Sequence, residues 1–512
     1  MSLTLASILA ESAARYPDRD AVVLGAQRIS YADLWDQTRR YAAVLADRGV
    51  GPGDTVALLM PNVPDFPRVY YAALSLGAVV VPVHALLVGR EIAYVLRDSG
   101  AKVLVAAGPL LEQGAAGADE AGVPLLSVMA GGDGADGADS TDRLDQLAEG
   151  ASPIETYVQR EPSDPAVILY TSGTTGAPKG AILTHLNMTM NAIVTATSVV
   201  PMTAGDVLLG ALPLFHSFGQ TVVMNAGFFV GATMVLVPRF DPAGALNLLV
   251  EEKVTVFSGV PTMYIALLAA ARADERRPNL RICASGGSSI PVAVIDKFQE
   301  VFGAAIYEGY GLSETSPVAT FNQEAFGRKP GTVGRGIWGC DAAIAAAEVE
   351  GRIELLGVGE IGEVVLRGHN IFSGYLNNPE ATKAVLVDGW FRTGDLGTVD
   401  EDGFISIVDR KKDLILRGGF NVYPREVEEV LAGHPGVAQV AVVGFPDDLH
   451  GEEICAVVVR SPEGADLDGP ALIEWSQERL GRHKYPRRVE FAETLPLGPS
   501  GKVLKREIVK TL

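Results

Sequence analysis

The residues whose types and spacing are best suited to do chemistry lie in the run YTSGTTGAPKG, from Tyr170 to Gly180. The run holds four Ser/Thr hydroxyls, three glycines and one lysine, and it continues the apolar run AVILY, which predicts a buried strand. Glycines let backbone N–H groups approach phosphate oxygens, and the hydroxyls and the lysine add donors. It is not a Walker A loop, because Pro178 stands at that motif's second glycine. The pattern predicts a phosphate-binding loop after a strand.

Four further motifs follow along the chain, and each alone has an ordinary explanation as a turn, a linker or a surface lysine. They are YEGYGLSET (Tyr307–Thr315), WFRTGD (Trp390–Asp395), DRKKDLILRGGFNVYPRE (Asp409–Glu426) and PSGKVLK (Pro499–Lys505). A carboxylate beside a hydroxyl at a Gly-rich turn can hold Mg²⁺ and meet a phosphate. An aspartate after a turn can accept both ribose hydroxyls. A lysine near the C-terminus can act as a mobile cation.

In this order the five motifs resemble those of the acyl-adenylate-forming (AMP-binding) enzyme superfamily, and the resemblance covers essentially the whole chain. The superfamily includes acyl-CoA synthetases, adenylation domains of peptide synthetases and luciferases. The runs EGYGLSETSP and DRKKDLILRGGFNVYPREVEEVL look most like bacterial medium- and long-chain fatty acyl-CoA ligases. The resemblance implies activation of a carboxylic acid with ATP and Mg²⁺ to an acyl-adenylate, followed by transfer to coenzyme A with release of AMP.

For ATP, the resemblance implies three groups of residues. The β- and γ-phosphates would be clamped by Thr171, Ser172, Gly173, Thr174, Thr175, Gly176 and Lys179. The adenine would be flanked by Gly287 and Tyr310, with Glu308 near its amino edge and Gly309 and Gly311 in the same turn. The ribose hydroxyls would be bound by Asp395, assisted by Arg410; Glu314 would hold Mg²⁺ and Thr315 would contact the α-phosphate.

The chemistry implied by the resemblance has two steps at one site. In the first, a carboxylate attacks the α-phosphorus, and Lys502 would be the catalytic lysine that offsets the repulsion between two anions. His216 would lie at the junction of acyl group and phosphate. For the second, the small domain would swing about a hinge at Lys412, and Gly418-Gly419 would line the pantetheine path, since a thin arm must pass close to backbone.

This chain departs from the family pattern in two places. Leu416 stands where many members have a lysine, and the neighbouring Arg417 is the basic residue here, which leaves the details of the CoA contact open. The last motif reads GPSGK where the family more often has Thr-x-Ser-Gly-Lys.

The elements that must position these residues alternate between strand and helix. Ser30–Arg48 has helical apolar spacing, while Thr55–Leu59 and Val79–Val83 are typical of strands. Residues 107–152, rich in Ala, Gly and Asp, are predicted to form a surface excursion, and from about Glu350 short strands with Gly turns predict a β-rich subdomain. We therefore expect an α/β fold: a large N-terminal domain (1–411) of mixed and parallel sheets covered by helices, and a small mobile α+β C-terminal domain (412–512).

The composition and charge of the chain exclude some classes of protein and predict its location. Apolar residues make up 48% and charged residues 20%, the balance of an ordinary globular protein. The net charge of −20 argues against nucleic-acid binding. Three widely spaced cysteines, no signal peptide and no transmembrane segment predict a cytoplasmic protein. The sequence leaves a homodimer open.

The acid should bind among segments that are apolar, contain aromatics and Met, and lack Arg and Lys: Phe215–Phe229, Val260–Tyr264 and Ser285–Pro291. A dicarboxylate would need a buried cation there, so a hydrophobic acid is favoured, most of all a medium- or long-chain fatty acid. An aryl or cinnamic acid is the runner-up. An AMP ligase that loads a carrier protein or another acceptor is a second hypothesis, and a luciferase-type oxygenase or a mere nucleotide binder is a third.

Overall fold

The computed structural model describes residues 3–129, 141–171, 178–274, 276–447, 449–497 and 503–511. Its strands up to Arg410 lie in three sheets. In chain order they are β1 (Asp20–Leu24), β2 (Gln27–Ser30), β3 (Thr55–Leu59), β4 (Val79–Pro82), β5 (Ala101–Ala107), β6 (Leu125–Val128), β7 (Pro165–Thr171), β8 (Lys179–Thr184), β9 (Val207–Gly210), β10 (Thr233–Leu236), β11 (Val256–Gly259), β12 (Ile282–Ser285), β13 (Ile306–Gly311), β14 (Val318–Phe321), β15 (Arg335–Gly336), β16 (Cys340–Ala345), β17 (Gly362–Gly368), β18 (Gly374–Tyr375), β19 (Leu386–Val387), β20 (Trp390–Val399) and β21 (Ile405–Arg410).

The helices of the same region cover the two larger sheets. They are α1 (Ser7–Arg15), α2 (Tyr31–Asp47), α3 (Asp65–Ser75), α4 (Gly89–Ser99), α5 (Leu111–Ala121), α6 (Leu144–Gly150), α7 (His185–Val194), α8 (Ala226–Val230), α9 (Pro242–Glu251), α10 (Pro261–Ala270), α11 (Val292–Phe302) and α12 (Pro379–Val385). Ser30 shows why α2 begins where it does, since its hydroxyl accepts a hydrogen bond from the Asp33 N–H and so caps the first turn.

The seven-stranded sheet has the order β18-β8-β7-β4-β3-β5-β6. Strands β7, β4, β3, β5 and β6 are parallel, and β8 and β18 extend the sheet in antiparallel fashion. The chain therefore leaves β7 at the same sheet edge as β4, and it returns along β8 after the phosphate-binding loop.

The nine-stranded sheet has the order β15-β14-β13-β12-β11-β9-β10-β1-β2. Its central strands from β13 to β1 are parallel, and antiparallel strands close both edges. The largest core cluster includes fully buried residues from α2, α3, α7 and α8, among them Leu34, Phe66, Met188 and Phe228. The end of β13 meets the seven-stranded sheet, because Glu314, just after β13, accepts a hydrogen bond from Tyr375 of β18.

The β-rich subdomain begins earlier than the sequence indicates. Its antiparallel strands run β16-β17-β20-β19, with β21 pairing β20, so it starts at Cys340 rather than near Glu350. The β20–β21 pair places Asp395 opposite Arg410 as Cα partners.

The C-terminal part has its own sheet and its own core. The sheet has the order β23-β22-β25-β24, with β26 beside β25: β22 (Ile415–Arg417), β23 (Phe420–Val422), β24 (Val437–Asp447), β25 (Gly451–Arg460) and β26 (Arg488–Phe491). Its helices are α13 (Pro424–Ala432), α14 (Gly469–Gln477) and α15 (Lys505–Val509). Val427 and Leu431 are buried on one face of α13, as their helical spacing predicts, and Pro424 stands in its first turn, where a missing N–H costs nothing.

The predicted α/β fold class is confirmed, with one correction. Residues 107–152 are not only a surface excursion, because β6 completes the seven-stranded sheet and Leu126, Val128 and Leu144 are fully buried. The Gly/Asp-rich part of that stretch, residues 131–140, lies outside the described residues. Among the helices that the structure describes, none combines the length and the apolar character needed to cross a membrane.

Candidate active site

The two ends of the predicted phosphate-binding loop are held in a β-hairpin. Thr171 ends β7 and Lys179 begins β8, and the two residues are Cα partners. The loop's end is tied to α4, since the Tyr94 hydroxyl donates to the Pro178 carbonyl at 3.0 Å. Ser172, Gly173, Thr174, Thr175 and Gly176 lie outside the described residues, so their predicted role stays a prediction.

Glu314 lies on a short 3-10 turn after β13, and its side chain is buried. The Tyr375 hydroxyl donates to its carboxylate at 2.8 Å, and the Lys179 ammonium lies 5.1 Å from the Tyr375 ring centre. Burial raises the pKa of Glu314, while the Tyr375 hydrogen bond and the Lys179 charge act in the opposite direction. A cation bound here would hold this carboxylate ionised, so the site fits an oxygen-ligated Mg²⁺.

Tyr375 is a residue that the sequence analysis missed. It lies 61 residues after Glu314 in the sequence, and the pairing of β18 with β8 holds it in place. A tyrosine after a glycine has no special pattern, so no local signal in the sequence could have identified it.

Thr315 is fully buried, and its hydroxyl closes its own turn. It accepts from the Leu312 N–H at 2.8 Å and lies within donating distance of the Leu312 and Pro317 carbonyls. The predicted contact with the α-phosphate stays a prediction, and it would require the hydroxyl to leave these partners.

Tyr310, Asp395 and Arg410 lie together, and their predicted roles toward adenine and ribose stay predictions. The Tyr310 hydroxyl donates to Asp395 at 2.6 Å, and the Arg410 Nε lies 3.5 Å from the other oxygen of the same carboxylate. Burial and the neighbouring Asp395 carboxylate raise the pKa of Tyr310, so the phenol stays a donor. Asp395 is thus fixed at one oxygen, and a carboxylate has further lone pairs for ribose hydroxyls.

The glycines beside Tyr310 have a structural reason of their own. A Cβ on Gly309 would fall 2.2 Å from the Phe321 ring, and one on Gly311 would fall 1.7 Å from the Pro317 carbonyl. Gly287 has a φ of +84°, which side chains rarely adopt. These positions accept only glycine whether or not a nucleotide is present.

Glu308 contacts the backbone of the loop before β15. Its buried carboxylate accepts a hydrogen bond from the Gly331 N–H at 2.9 Å, and burial raises its pKa to about 7. The side chain therefore ties β13 to the loop before β15, and a contact with the amino edge of adenine stays a prediction.

His216 lies in a segment that another missed residue holds in place. The buried Asn62 side chain donates to the Gly210 and Leu212 carbonyls at 2.9 and 2.8 Å, and it accepts from the Leu214 N–H at 2.9 Å. Beyond it, the His216 Nδ1 accepts from the Phe218 N–H at 3.3 Å. Asn62 satisfies three backbone groups, which fixes the path of the chain into His216.

The three predicted acyl-pocket segments converge. A Cβ on Gly286 would lie 3.2 Å from the Phe218 ring, so the segments 215–229 and 285–291 touch there. The Tyr264 hydroxyl of the third segment donates to the Ala284 carbonyl at 2.8 Å. Between Phe218 and α8 the chain forms a π-helical segment, Gly219–Asn225, whose residues are all buried.

The predicted CoA segment lies in the C-terminal sheet. Gly418 and Gly419 join β22 to β23 with φ of +56° and +82°, they are exposed, and the Gly418 N–H donates to the His450 carbonyl at 2.8 Å. Arg417 forms an ion pair with Glu453, with N–O distances of 2.5 and 2.9 Å. Because its charge is already paired with Glu453, Arg417 does not simply replace the lysine that many family members have at the position of Leu416.

The predicted hinge residue, Lys412, lies between strands β21 and β22. Lys412 is exposed, and partial desolvation together with Arg410 lowers its pKa. Lys502 lies outside the described residues. Three positions further on, Lys505 forms a 2.7 Å ion pair with Glu428 of α13, which anchors the C-terminal helix α15.

The geometry agrees with the comparisons with known proteins. The AMP-binding enzyme family matches residues 9–376, and the AMP-binding enzyme C-terminal domain matches residues 426–502. A long-chain-fatty-acid–CoA ligase of Bacillus subtilis is 36% identical over 99% of this chain and 94% of its own. A feruloyl-CoA synthase of an Amycolatopsis species is 38% identical over 96% of both chains.

A solved structure has the same fold over the whole length. The crystal structure of ATP-bound MatB from Rhodopseudomonas palustris has a TM-score of 0.89 and 34% identity, covering 100% of this chain and 99% of the other. The chain belongs to the AMP-binding enzyme family, and it is an AMP-forming acid:CoA ligase that uses ATP and coenzyme A.

Proposed function

We propose that the acid is a medium- or long-chain fatty acid, which the enzyme converts to its acyl-CoA. The observation that supports this most directly is the contact of Phe218 with Gly286 inside three converging segments without Arg or Lys. A hydrocarbon chain gains free energy from such a lining, at about 0.8 kcal/mol per buried CH₂. The similarity to a long-chain-fatty-acid–CoA ligase points to the same class of acid.

An aryl or cinnamic acid is the second candidate. The similarity to a feruloyl-CoA synthase favours it, and so does a polar network next to the predicted pocket. There the Tyr71 hydroxyl donates to Asn225 at 2.7 Å, and the Tyr70 hydroxyl lies 3.3 Å from Gln220. A ring with polar substituents would find partners in such a network, whereas an alkyl chain would not.

In the first step that we propose, a carboxylate oxygen of the acid forms a bond to the α-phosphorus, and the bond to the bridging oxygen of the β-phosphate breaks. Lys179 and the loop after Thr171 hold the leaving pyrophosphate, and Asp395 holds the ribose. Lys502 approaches the carboxylate and the α-phosphate. Glu314 would hold Mg²⁺, whose positive charge would offset the repulsion between the two anions.

In the second step the CoA sulfur forms a bond to the acyl carbon, the bond to the AMP oxygen breaks, and the thiol proton passes to solvent. We propose that the units 1–411 and 412–512 reorient about Lys412 between the steps, so that Gly418-Gly419 replaces Lys502 beside the acyl-adenylate. Within the described residues no strand pairs across residue 412, which supports this division. His216 separates the acyl group from the phosphate.

Coenzyme A is the acceptor of the acyl group. An acyl carrier protein is the alternative acceptor, and turnover assays with each of the two distinguish them. We also propose a cytoplasmic location, which is supported by three free, buried cysteines. A homodimer stays a prediction.

The experiment is an acid panel scored for AMP and thioester, with CoA, with an acyl carrier protein, and with neither. We expect dodecanoate and palmitate to exceed benzoate and ferulate in kcat/KM, and we expect repeated turnover only with CoA. Preference for ferulate would replace the fatty acid with the second candidate, and turnover with the carrier protein alone would replace CoA.

A matched pair of variants tests the pocket itself. Gly286→Val would place side-chain atoms against the Phe218 ring, whereas Gly150→Val adds the same atoms where nothing lies within 4 Å. We expect only Gly286→Val to lower kcat/KM for palmitate, with less effect on hexanoate. Equal effects on both acids, or none, would remove Gly286 from the pocket.

A further inference from the structure

His84 is a half-buried polar side chain that the proposed reaction does not yet use. It lies two residues after β4, and β4 is the parallel neighbour of β7, the strand that leads into the phosphate-binding loop. Because parallel strands end at the same sheet edge, His84 lies beside the start of that loop.

Two contacts set the orientation of its ring. The His84 Nδ1 accepts from the Leu86 N–H at 3.1 Å, and the ring centre lies 4.4 Å from that of Phe215, the residue before His216. With Nδ1 as the acceptor, the proton of the neutral ring is on Nε2.

The Nε2 atom is buried, and it has no hydrogen-bond partner in the part of the chain that the structure describes. A buried donor without a partner costs about 1–3 kcal/mol, and an acceptor that arrives with a ligand would remove that cost. Burial also lowers the pKa of His84 to about 4, so the ring stays neutral at the pH of the cytoplasm.

The surroundings indicate which ligand brings the acceptor. Helix α4, which follows the His84 loop, contacts both ends of the phosphate-binding loop: Tyr94 donates to the Pro178 carbonyl, and Asp98 accepts from the Tyr170 hydroxyl at 2.7 Å. The His84 ring packs against Phe215, and β4, which precedes it, runs beside β7, whose last residue Thr171 begins that loop. This is the region in which the proposed function puts the triphosphate of ATP.

We propose that His84 is a further ATP-binding residue, whose Nε2–H donates a hydrogen bond to an oxygen of the β- or γ-phosphate. This rests on the proposed function of the loop from Thr171 to Lys179. A neutral donor at this place binds the triphosphate without holding the pyrophosphate as firmly as another cation would, which suits a product that must leave.

Two substitutions separate the hydrogen bond from the ring contact. His84→Phe keeps the ring on Phe215 and loses the donor. His84→Asn loses the ring, but its amide can accept from the Leu86 N–H and still donate. Binding of ATP with Mg²⁺, and of AMP, is measured by calorimetry without any acid, so the result does not depend on which acid is the substrate.

We expect His84→Phe to raise the Kd for ATP by about tenfold or more and to leave the Kd for AMP unchanged, since AMP lacks the β- and γ-phosphates. His84→Asn should recover most of the affinity. Unchanged ATP binding by His84→Phe, or an equal loss for ATP and AMP, would overturn the proposal. Failure of the unaltered enzyme to bind ATP would instead overturn the proposed function.

A measurement on the unaltered enzyme covers the case in which the variants do not fold. In protein labelled with ¹⁵N-histidine, the His84 Nε2–H signal should shift and exchange more slowly with water on addition of ATP and Mg²⁺, but not of AMP. A signal that responds identically to both nucleotides would contradict the assignment.

Discussion

The Tyr310 hydroxyl donates a 2.6 Å hydrogen bond to Asp395, across 85 residues of sequence and between two different sheets. It fixes one carboxylate oxygen of the residue that we propose to bind the ribose. Arg410, opposite Asp395 on β21, lies near the other oxygen. The proposed adenosine site thus lies where the nine-stranded sheet meets the β-rich subdomain.

This contact predicts linked effects on ATP binding. Asp395→Asn should raise the KM for ATP more than about tenfold, because a neutral amide accepts less strongly from the ribose hydroxyls. Tyr310→Phe should raise it less, and the double variant should be little worse than Asp395→Asn alone. As a control, 2′-deoxy-ATP should be a poorer substrate than ATP for the unaltered enzyme and not for Asp395→Asn; equal discrimination by both would separate Asp395 from the ribose.

Glu314 and Tyr375 predict a graded loss of Mg²⁺ affinity. Glu314→Gln should raise the Mg²⁺ concentration for half-maximal activity strongly, and Tyr375→Phe by about tenfold, because the phenol only orients the carboxylate. The exposed Glu324→Gln is the matched control and should titrate normally. An unchanged Mg²⁺ requirement in Glu314→Gln would remove that residue from the metal site.

Much of this site could be predicted from the sequence because its motifs are local. The strand before the loop is an unbroken apolar run, and the Asp395–Arg410 contact follows from a hairpin whose two strands are near each other in sequence. Tyr375, Asn62 and His84 could not be predicted, because each matters only through a partner that the fold brings from elsewhere in the chain. The strand β6 could not be predicted for a similar reason. Its four residues lie within an Ala/Gly/Asp-rich stretch, and they form a strand because they pair with β5.

Asn62 should affect catalysis through the position of His216. Asn62→Leu would remove the hydrogen bonds to the Leu212 carbonyl and from the Leu214 N–H, at a cost on the order of 2–4 kcal/mol of unfolding free energy, while the Gly210 carbonyl keeps the Val237 N–H. We expect kcat to fall by about tenfold or more while the Kd for ATP changes little. Asn247→Leu, at a surface contact with Arg276, is the control. A stable Asn62→Leu enzyme with normal kcat would show that this network is not needed to position His216.

His185 predicts an acid-dependent loss of stability. It is fully buried at the start of α7, its Nδ1 accepts from the Leu5 N–H at 3.1 Å, and burial lowers its pKa from 6.5 to about 4. Between these two pH values the unfolded chain binds a proton that the folded chain does not, so stability falls as pH drops through this window and is constant above it. The full effect is on the order of 3 kcal/mol, at about 1.4 kcal/mol per pKa unit.

The measurement is denaturant unfolding of the unaltered protein and His185→Gln at about pH 7 and about pH 5. The difference in unfolding free energy between the two proteins should shrink at the lower pH, because the glutamine has no proton to gain. A constant difference would show that His185 titrates alike in the folded and unfolded chains.

The acyl-adenylate is the central claim, and oxygen-18 transfer tests it most directly. Dodecanoate labelled in both carboxylate oxygens is turned over with ATP and CoA, and the AMP and pyrophosphate are examined by mass spectrometry. Because the carboxylate oxygen that attacks the α-phosphorus stays with phosphorus when the thioester forms, each AMP should contain one labelled oxygen and the pyrophosphate none. Unlabelled AMP, or label in inorganic phosphate formed together with ADP, would contradict the account.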